Sequence, residues 1–357
     1  SGARHDGSTV SPHGYRGLTA SAFSLPWRSA SAPMCDAFLV LAQTDLGLSC
    51  FLLPRWRPNG SKNAMLVQRI KDKMGNVSNA SSEVEYRNAF AWMIGEEGHG
   101  VSTILEMVSL TRFDCMVGSA SIMGLAASQA LHHTGGRSVF GRNLHEQPLM
   151  QNVLADLALE AESALAISMR LAHALDNNDE GDKLLFRIGT AIGKYWICKR
   201  AAQHTSEAME CIGGVAVVED NVLARLYRES PINAIWEGSG NIQCLDVRRA
   251  IEKNPNVLEV FLLELDKAKN RIEQYGHELT TFKQALTTQN SNEYTLRRQV
   301  EKMALLWQAS TLIQYSNENI AEAFVASRIT DDHGYMYGTL PKHIAYRDII
   351  NRAKPNL

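Results

Sequence analysis

The sequence predicts a mainly α-helical fold with a β-rich N-terminal part. Before about residue 98, short apolar runs are separated by turn residues, a pattern typical of strands and hairpins. From Gly100 onward, apolar residues recur at spacings of mostly three and four over long stretches, which is typical of amphipathic helices. A chain of 357 residues is also long enough for more than one domain with a sizeable core.

The predicted β-rich part covers residues 35–98. It follows residues 1–34, which are rich in Ser, Gly, Ala and Arg and which we expect to be irregular. Two apolar runs, residues 38–42 and 48–53, are separated by Thr-Asp-Leu-Gly and predict a strand, a turn and a strand. Residues 82–86 alternate in polarity and predict a third strand.

Residues 99–253 predict four long helices with short connections, which favours a four-helix bundle with antiparallel neighbours. The fourth helix is predicted to start near Ser239 and to end at Lys253. Residues 254–357 continue with helical patterns and form a predicted C-terminal helical extension. The predicted helix ends are marked by Gly135-Gly136, residues 177–181, Gly213-Gly214 and Asn254-Pro255.

The bulk composition narrows the class of protein. A net charge of −2 gives no overall field for nucleic acid or an anionic membrane. No run of about 18 apolar residues is present, so we expect no membrane span, and the first residues do not resemble a secretory signal. The six cysteines are scattered without a C-x-x-C pair. We therefore expect a cytoplasmic protein with free thiols and no metal site.

Glu237 is an acid with unusual neighbours, since it lies between Trp236 and the run Gly238-Ser239-Gly240. A general base that deprotonates a weak carbon acid needs poor solvation to raise its pKa, and Trp236 is placed to exclude water. Ser239 or Asn241 would cap the following helix, whose free N–H groups favour a nearby anion. A carboxylate that merely interacts with the helix dipole explains Glu237 as well. From the residues alone, both interpretations stay open.

Two glycine-containing connections are also ambiguous. In Arg137-Ser-Val-Phe-Gly141, the guanidinium would suit a phosphate, or Arg137 is an ordinary loop residue with Phe140 packed beside it. Gly213-Gly214 is either a helix stop or a place where the backbone approaches a ligand.

Several ordered motifs together resemble the acyl-CoA dehydrogenase family, and within it the AidB-like branch of adaptive-response flavoproteins. The motifs shared with the wider family are Gly95-Glu-Glu-Gly-His-Gly100, Arg137-Ser-Val-Phe-Gly141, Glu210-Cys-Ile-Gly-Gly214, Arg225-Leu-Tyr-Arg228 and Ile235-Trp-Glu-Gly-Ser-Gly-Asn-Ile-Gln243. The runs that point to the AidB-like branch are residues 71–76, 107–115 and 230–241. The resemblance covers residues 35 to about 250.

The resemblance implies a partial acyl-CoA dehydrogenase-like β domain followed by the family's C-terminal four-helix bundle, without the N-terminal helical domain. It also implies flavin adenine dinucleotide (FAD) as cofactor, an acyl-CoA substrate and a homotetramer or dimer of dimers. In the family, such a protein oxidises the Cα–Cβ bond of an acyl thioester. We expect this activity to be weakened in a chain that lacks one wall of the flavin cavity.

The resemblance also implies roles for individual residues. Glu237 matches the catalytic base, and Arg112 and Trp236 match positions near the acyl chain. The positions that match FAD contacts are Arg137, Val139, Phe140, Glu210, Gly213, Gly214, Ser239 and Asn241. Arg137, Val139 and Phe140 match the segment that reaches the FAD pyrophosphate and adenosine across a subunit contact. Glu210, Gly213 and Gly214 match a second loop on the adenosine side.

Duplex DNA binding during the response to alkylation, with little dehydrogenase activity, is the alternative function. The resemblance places it at the end of the bundle and in the C-terminal helices, where Arg249 falls at an implicated position and Arg248 adds a second cation beside it. The charge balance does not add support, because residues 257–357 hold twelve Lys or Arg and twelve Asp or Glu. A third hypothesis is a chain that keeps the bundle and binds no flavin.

Overall fold

The computed structural model describes residues 15–21, 31–177, 179–288, 292–330 and 332–355. The chain divides between Leu110 and Thr111 into two compact units, and this boundary falls inside the first helix.

The first unit is built on a five-stranded antiparallel sheet. Its spatial order is β1-β5-β3-β2, with β4 also paired to β5. The core beneath it contains Phe38, Phe51, Leu53 and Val84, all buried. The strands are β1 (Tyr15–Ser21), β2 (Ala37–Thr44), β3 (Gly47–Pro54), β4 (Met65–Ile70) and β5 (Ser82–Ile94).

The hairpin between β2 and β3 follows directly from the sequence. Thr44 pairs with Gly47 across a two-residue turn, and Gly47 has a φ of 127°, a conformation that favours glycine. The two apolar runs on either side of this turn are the strands that the sequence predicts.

The second unit is helical and has one continuous hydrophobic core. Its central helix is α3, which packs against α2, α4, α5, α6 and α8. Between α1 and α2 lies a small hairpin of β6 (Ser138–Val139) and β7 (Arg142–Asn143). The helices are α1 (Gly100–Gly136), α2 (Pro148–Asp176), α3 (Glu180–Ile212), α4 (Val222–Glu229), α5 (Gly240–Lys253), α6 (Asn256–Asp266), α7 (Glu273–Thr288), α8 (Glu293–Tyr315), α9 (Glu318–Phe324) and α10 (Tyr346–Ala353).

Residues after Lys253 complete this core. Trp307 of α8 is fully buried, and its ring lies against Phe261 of α6 with centroids 6.1 Å apart. The predicted C-terminal extension is therefore part of the same compact unit as the bundle helices.

The predicted fold class is confirmed, and α1, α2, α3 and α5 fall where the periodicity places four helices. The prediction for residues 1–34 is wrong at Tyr15–Ser21, which pairs with β5 as an edge strand. β4 was also missed, because its sequence, Met-Leu-Val-Gln-Arg-Ile, does not alternate in polarity; only Met65 of its six residues is buried. Across the described ranges, no helix is long and apolar enough to cross a membrane.

Candidate functional site

The loop that carries Glu237 joins α4 to α5. A short 3-10 turn, Ile232–Ala234, is followed by Glu237 with a φ of 55° and Gly238 with a φ of 100°. Ser239 occupies the N-cap position of α5, as the sequence predicts, but its side chain makes no capping hydrogen bond. Glu237 is thus a non-glycine residue in the left-handed region, directly before a helix N-terminus.

A buried lysine lies under this loop. Lys194 of α3 is 1% exposed, and its Nζ donates to the carbonyl oxygens of Asn233 at 2.9 Å, Trp236 at 2.8 Å and Gly238 at 3.0 Å. An ammonium has three N–H donors, so all three are used by the backbone of the loop. Burial lowers the pKa of Lys194, whereas the nearby Cys198 thiol acts in the opposite direction.

Two further side chains hold the carbonyl of Glu237. Arg112 of α1 donates from Nε to Glu237 O at 2.9 Å, and Gln243 of α5 donates from Nε2 to the same oxygen at 3.2 Å. Gln243 Nε2 also donates to Gly238 O at 2.9 Å. The loop is therefore fixed from three different helices.

Arg112 is itself oriented by an acid. Its Nη1 lies 2.9 Å from Asp246 Oδ2, and Arg187 of α3 contacts both oxygens of the same carboxylate. The side chains of Arg112 and Asp246 are only 13% and 15% exposed, so this ion pair is better shielded from solvent than a surface pair. Arg112, expected near the acyl chain, directs two of its nitrogens to the loop and to Asp246.

The Glu237 side chain is exposed, which differs from the water-poor setting that its neighbours suggest. The Trp236 indole is turned to Asn233, with Nε1 donating to Asn233 Oδ1 at 2.9 Å. Asn233 in turn donates from Nδ2 to Ser119 Oγ of α1 at 3.2 Å. Trp236 is thus part of the loop's own hydrogen-bond network, and within the described ranges no side chain covers Glu237.

The segment expected to reach the FAD pyrophosphate forms the β6–β7 hairpin. At its tip, Phe140 is 97% exposed and has a φ of 52°, and Gly141 has a φ of 81°. Arg137 is exposed at the base of the hairpin, and Val139 is partly buried. Phe140 is therefore not packed against its own chain, which excludes the interpretation of this ring as a core residue.

The second expected adenosine contact lies where α3 ends. Gly213 has a φ of 82°, and a Cβ added to Gly213 or Gly214 would meet nothing within 4 Å. Glu210 is exposed on the last turn of α3. These glycines are not required by packing against a neighbouring element, since the space beside them is open.

The predicted site residues thus form separate groups. Glu237, Trp236, Ser239 and Asn241 share one loop and helix end, and Arg112 contacts that loop. The hairpin follows α1 at its far end, and the 24 residues from Arg112 to Gly136 span about 36 Å of helix. One chain therefore does not bring Arg137 to Glu237.

Arg248 and Arg249, the expected DNA contacts, lie on α5. The Arg248 Nη2 is 3.0 Å from Glu293 Oε1 and its Nε is 3.4 Å from Glu252 Oε1. Arg249 is exposed. The charge of Arg248 is thus compensated by two carboxylates.

A groove of about 1080 Å³ lies on another face of the second unit, between α1, α2, α8 and α10. None of its lining residues belongs to the Glu237 loop. Its charged lining residues are already paired, Arg352 with Glu162 and Arg170 with Glu264. This groove therefore offers no uncompensated carboxylate or guanidinium and includes none of the predicted site residues.

Lys194, Gln243 and Asp246 were not among the site residues that the sequence predicts. A signal for Lys194 was present, because it lies three residues after Ala191 and four before Cys198 on the buried face of α3. A lysine at such a position needs partners that remove its desolvation cost.

Comparison with known proteins identifies relatives over most of the chain. The family profile described as "Acyl-CoA dehydrogenase, C-terminal domain" matches residues 98–252. "Putative acyl-CoA dehydrogenase AidB" of Escherichia coli (strain K12) is 42% identical over 295 residues, covering 82% of this chain and 54% of that protein. "Acyl-CoA dehydrogenase family member 11" of Caenorhabditis elegans is 28% identical, covering 79% of this chain and 46% of that protein. The chain thus spans about half the length of these relatives.

Solved structures share the fold. Caenorhabditis elegans ACDH-11 in complex with C11-CoA superposes with a TM-score of 0.77 at 24% identity, covering 89% of this chain and 59% of the other. An acyl-CoA dehydrogenase from Bacillus anthracis, complexed with FAD, gives a TM-score of 0.66 at 16% identity and covers 91% of this chain and 61% of the other.

Proposed function

Because the chain belongs to the acyl-CoA dehydrogenase family, we propose that it is the part of an FAD-dependent dehydrogenase that supplies the base for α,β-dehydrogenation of an acyl-CoA. The observation that carries the proposal is that Glu237 combines an exposed side chain with a fixed backbone. Its carboxylate is exposed, yet its backbone is fixed by hydrogen bonds to the carbonyls on both sides of it and to its own. A base must be held at a defined position relative to the proton that it removes.

The residues present fit an FAD molecule. Open space beside Gly213 and Gly214, the unpacked ring of Phe140 and the exposed guanidinium of Arg137 are suited to an adenosine diphosphate. Ser239 and Asn241 lie at the N-terminus of α5 beside Glu237, where N–H groups and polar side chains are free to contact a flavin ring. When bound, FAD supplies the acceptor for the hydride that leaves the β-carbon.

The role of Glu237 is to take the α-proton of the acyl thioester onto a carboxylate oxygen as the β-hydride leaves. Arg112 contributes by holding the Glu237 carbonyl, and Asp246 by holding Arg112. Because Glu237 is exposed on the single chain, the water that surrounds it must be displaced by the flavin, by the substrate or by groups outside this chain.

The same geometry favours assembly with a second copy. Arg137 and Phe140 follow the far end of α1, about 36 Å of helix from Arg112 at the Glu237 loop, which is too far to contact the same flavin within one chain. A second copy that offers its hairpin would complete the site, as the expected homotetramer or dimer of dimers requires.

Flavin reduction tests the proposal. The purified chain, reconstituted with FAD, is expected to keep the visible flavin absorption band and to lose it on anaerobic addition of acyl-CoA. Glu237→Gln keeps the shape of the side chain and removes the carboxylate that acts as the base. We expect this substitution to slow the bleaching by at least ~100-fold while FAD stays bound. Bleaching at the same rate in both proteins would contradict the proposal, as would failure of the wild-type chain to retain FAD.

Duplex DNA binding remains the alternative. The pairing of Arg248 with Glu252 and Glu293 leaves Arg249 as the more available of the two expected contacts. This alternative predicts salt-dependent duplex binding that Arg249→Ala weakens, together with no acyl-CoA bleaching in the wild-type chain.

A further inference from the structure

We propose that Lys194 is the positioning residue of this site, holding Glu237 in the backbone conformation from which its carboxylate can reach the substrate. The inference rests on the proposed function of Glu237 and assigns to α3 a part of the machinery that neither the motifs nor the fold identify.

The first support is the cost of burying a lysine at this place. Lys194 is 1% exposed, and its neighbours on the same helix face, Ala191 and Cys198, are buried as well. Among the described residues, no carboxylate lies within ion-pair distance of its Nζ. An apolar side chain would fill this position of a helix core at less cost, so the ammonium has a function other than packing.

The second support is the direction of the loop carbonyls. The carbonyl oxygens of Asn233, Trp236 and Gly238 converge on one nitrogen within 3.0 Å. Converging carbonyl dipoles repel each other unless a cation lies between them, and Lys194 supplies that charge. The three bonds hold residues on both sides of Glu237, so together with the Arg112 and Gln243 bonds to its own carbonyl they restrain its φ and ψ.

The third support is the conformation itself. A φ of 55° at a non-glycine residue is unfavourable and persists only where the surroundings enforce it. The next residue must be glycine, because a Cβ at Gly238 would lie 2.8 Å from Gln243 Nε2. The loop thus holds Glu237 in a strained conformation, and relaxation of its φ would change the direction of its side chain.

Native-state hydrogen exchange measured by mass spectrometry tests the inference on the chain without cofactor. We compare Lys194→Met, which removes the charge at similar length, with Lys194→Arg, which restores a cation. Lys183→Met, at an exposed position of the same helix, is the matched control. Amides of residues 232–243 are expected to exchange at least ~10-fold faster in Lys194→Met, with partial recovery in Lys194→Arg and no change in Lys183→Met. Peptides of α2 should exchange as in the wild type.

Two outcomes of this experiment overturn the inference. One is wild-type exchange of residues 232–243 in a folded Lys194→Met chain. The other is equally accelerated exchange in α2, because it would make Lys194 a general stabiliser of the fold instead of a positioning residue.

A second readout separates this inference from the proposed function. Glu237→Gln should retain wild-type exchange of residues 232–243 and lose flavin reduction, whereas Lys194→Met should alter both. In Lys194→Met, the rate of flavin reduction should fall at least ~10-fold, while the Kd for acyl-CoA stays within about threefold. If the wild-type chain is not reduced by acyl-CoA, the proposed function fails, and hydrogen exchange still decides whether Lys194 holds the loop.

Discussion

Glu237 has a backbone conformation that most side chains avoid, and the neighbouring hydrogen bonds show why it is kept. The sequence was sufficient to single out this residue, because its flanking aromatic and glycines are unusual and its motif is specific. The supporting residues were not accessible in the same way. Lys194 and Arg112 lie 43 and 125 positions before Glu237 in the chain, and only the packing of α1 and α3 brings them to the loop.

A second buried polar cluster shows how titration is coupled to folding at the scale of single residues. Glu160 of α2 accepts hydrogen bonds from Arg200 and Arg328, and His204 of α3 is fully buried nearby. Burial opposes ionisation of Glu160, but the two guanidinium charges outweigh it and lower the pKa to about 2. Burial lowers the pKa of His204 to about 4.

We predict that His204 makes stability fall as the solution becomes acidic. Its pKa drops from 6.5 to about 4 on folding, so the unfolded chain binds more protons between these values. The contribution of the neutral imidazole is present above pH 6.5 and is lost as the pH falls toward 4, on the order of 3 kcal/mol. Urea unfolding of His204→Gln at several pH values should show a smaller loss over this window.

The exposed His277→Gln is the matched control and should follow the wild type. Equal pH dependence in the wild type and His204→Gln would contradict the account. The window below pH 4.5 is not diagnostic for His204, because Glu160 begins to lose its own contribution there as the pH falls toward about 2.

At the scale of secondary-structure elements, hydrophobic periodicity predicted the strands and helices that have one apolar face and missed the strands that do not. The β2–β3 hairpin and the long helices have clear apolar patterns. β4 exposes five of its six residues, and its apolar residues Met65, Leu66, Val67 and Ile70 do not alternate with polar ones as they would in a strand with one buried face. The β6–β7 hairpin has only two residues in each strand, too few for any alternation to be recognised.

The close packing of α3 gives a prediction at this scale. A Cβ at Gly189 would lie 2.8 Å from Trp307 Cη2 and 2.9 Å from Leu171 Cδ2, and both side chains are buried. We expect Gly189→Ala to destabilise the chain by about 1–3 kcal/mol, although alanine is the better helix former. Chemical denaturation checks this expectation by comparing the free energy of unfolding of Gly189→Ala and the wild type, provided that the two proteins have the same m-value.

Gly124→Ala on α1 serves as the control, since a Cβ there meets nothing within 4 Å. It should be neutral or stabilising by up to ~1 kcal/mol. A Gly189→Ala chain that is as stable as Gly124→Ala would show that α3 is not closely packed against α8 and α2.

At the scale of the whole molecule, the family motifs fall in groups that a single chain does not unite. The sequence placed Arg137 and Glu237 in one functional site, but it could not show that the Glu237 loop contacts Arg112, about 36 Å of helix before the hairpin. The resemblance had implied that a subunit contact bridges this gap, and the length of α1 gives the physical reason for proposing it.

Complementation between two inactive variants tests the assembly. Arg137→Ala should weaken FAD binding, and Glu237→Gln should remove the base. In mixed oligomers, some sites combine the intact Glu237 of one copy with the intact Arg137 of another. We expect a mixture of the two variants, refolded together, to recover about a quarter of wild-type flavin reduction if sites lie between pairs of copies. No recovery in demonstrably mixed oligomers would mean that each site is formed by one chain.

The most direct test of the central claim is proton abstraction itself. An acyl-CoA whose β-carbon carries no hydrogen cannot lose a hydride, but it can still exchange its α-protons with a base. With FAD bound and D₂O as solvent, mass spectrometry of the recovered thioester should show α-deuteration by the wild-type chain, at least ~100-fold faster than by Glu237→Gln. Equal rates in the two proteins would contradict the assignment of Glu237 as the base.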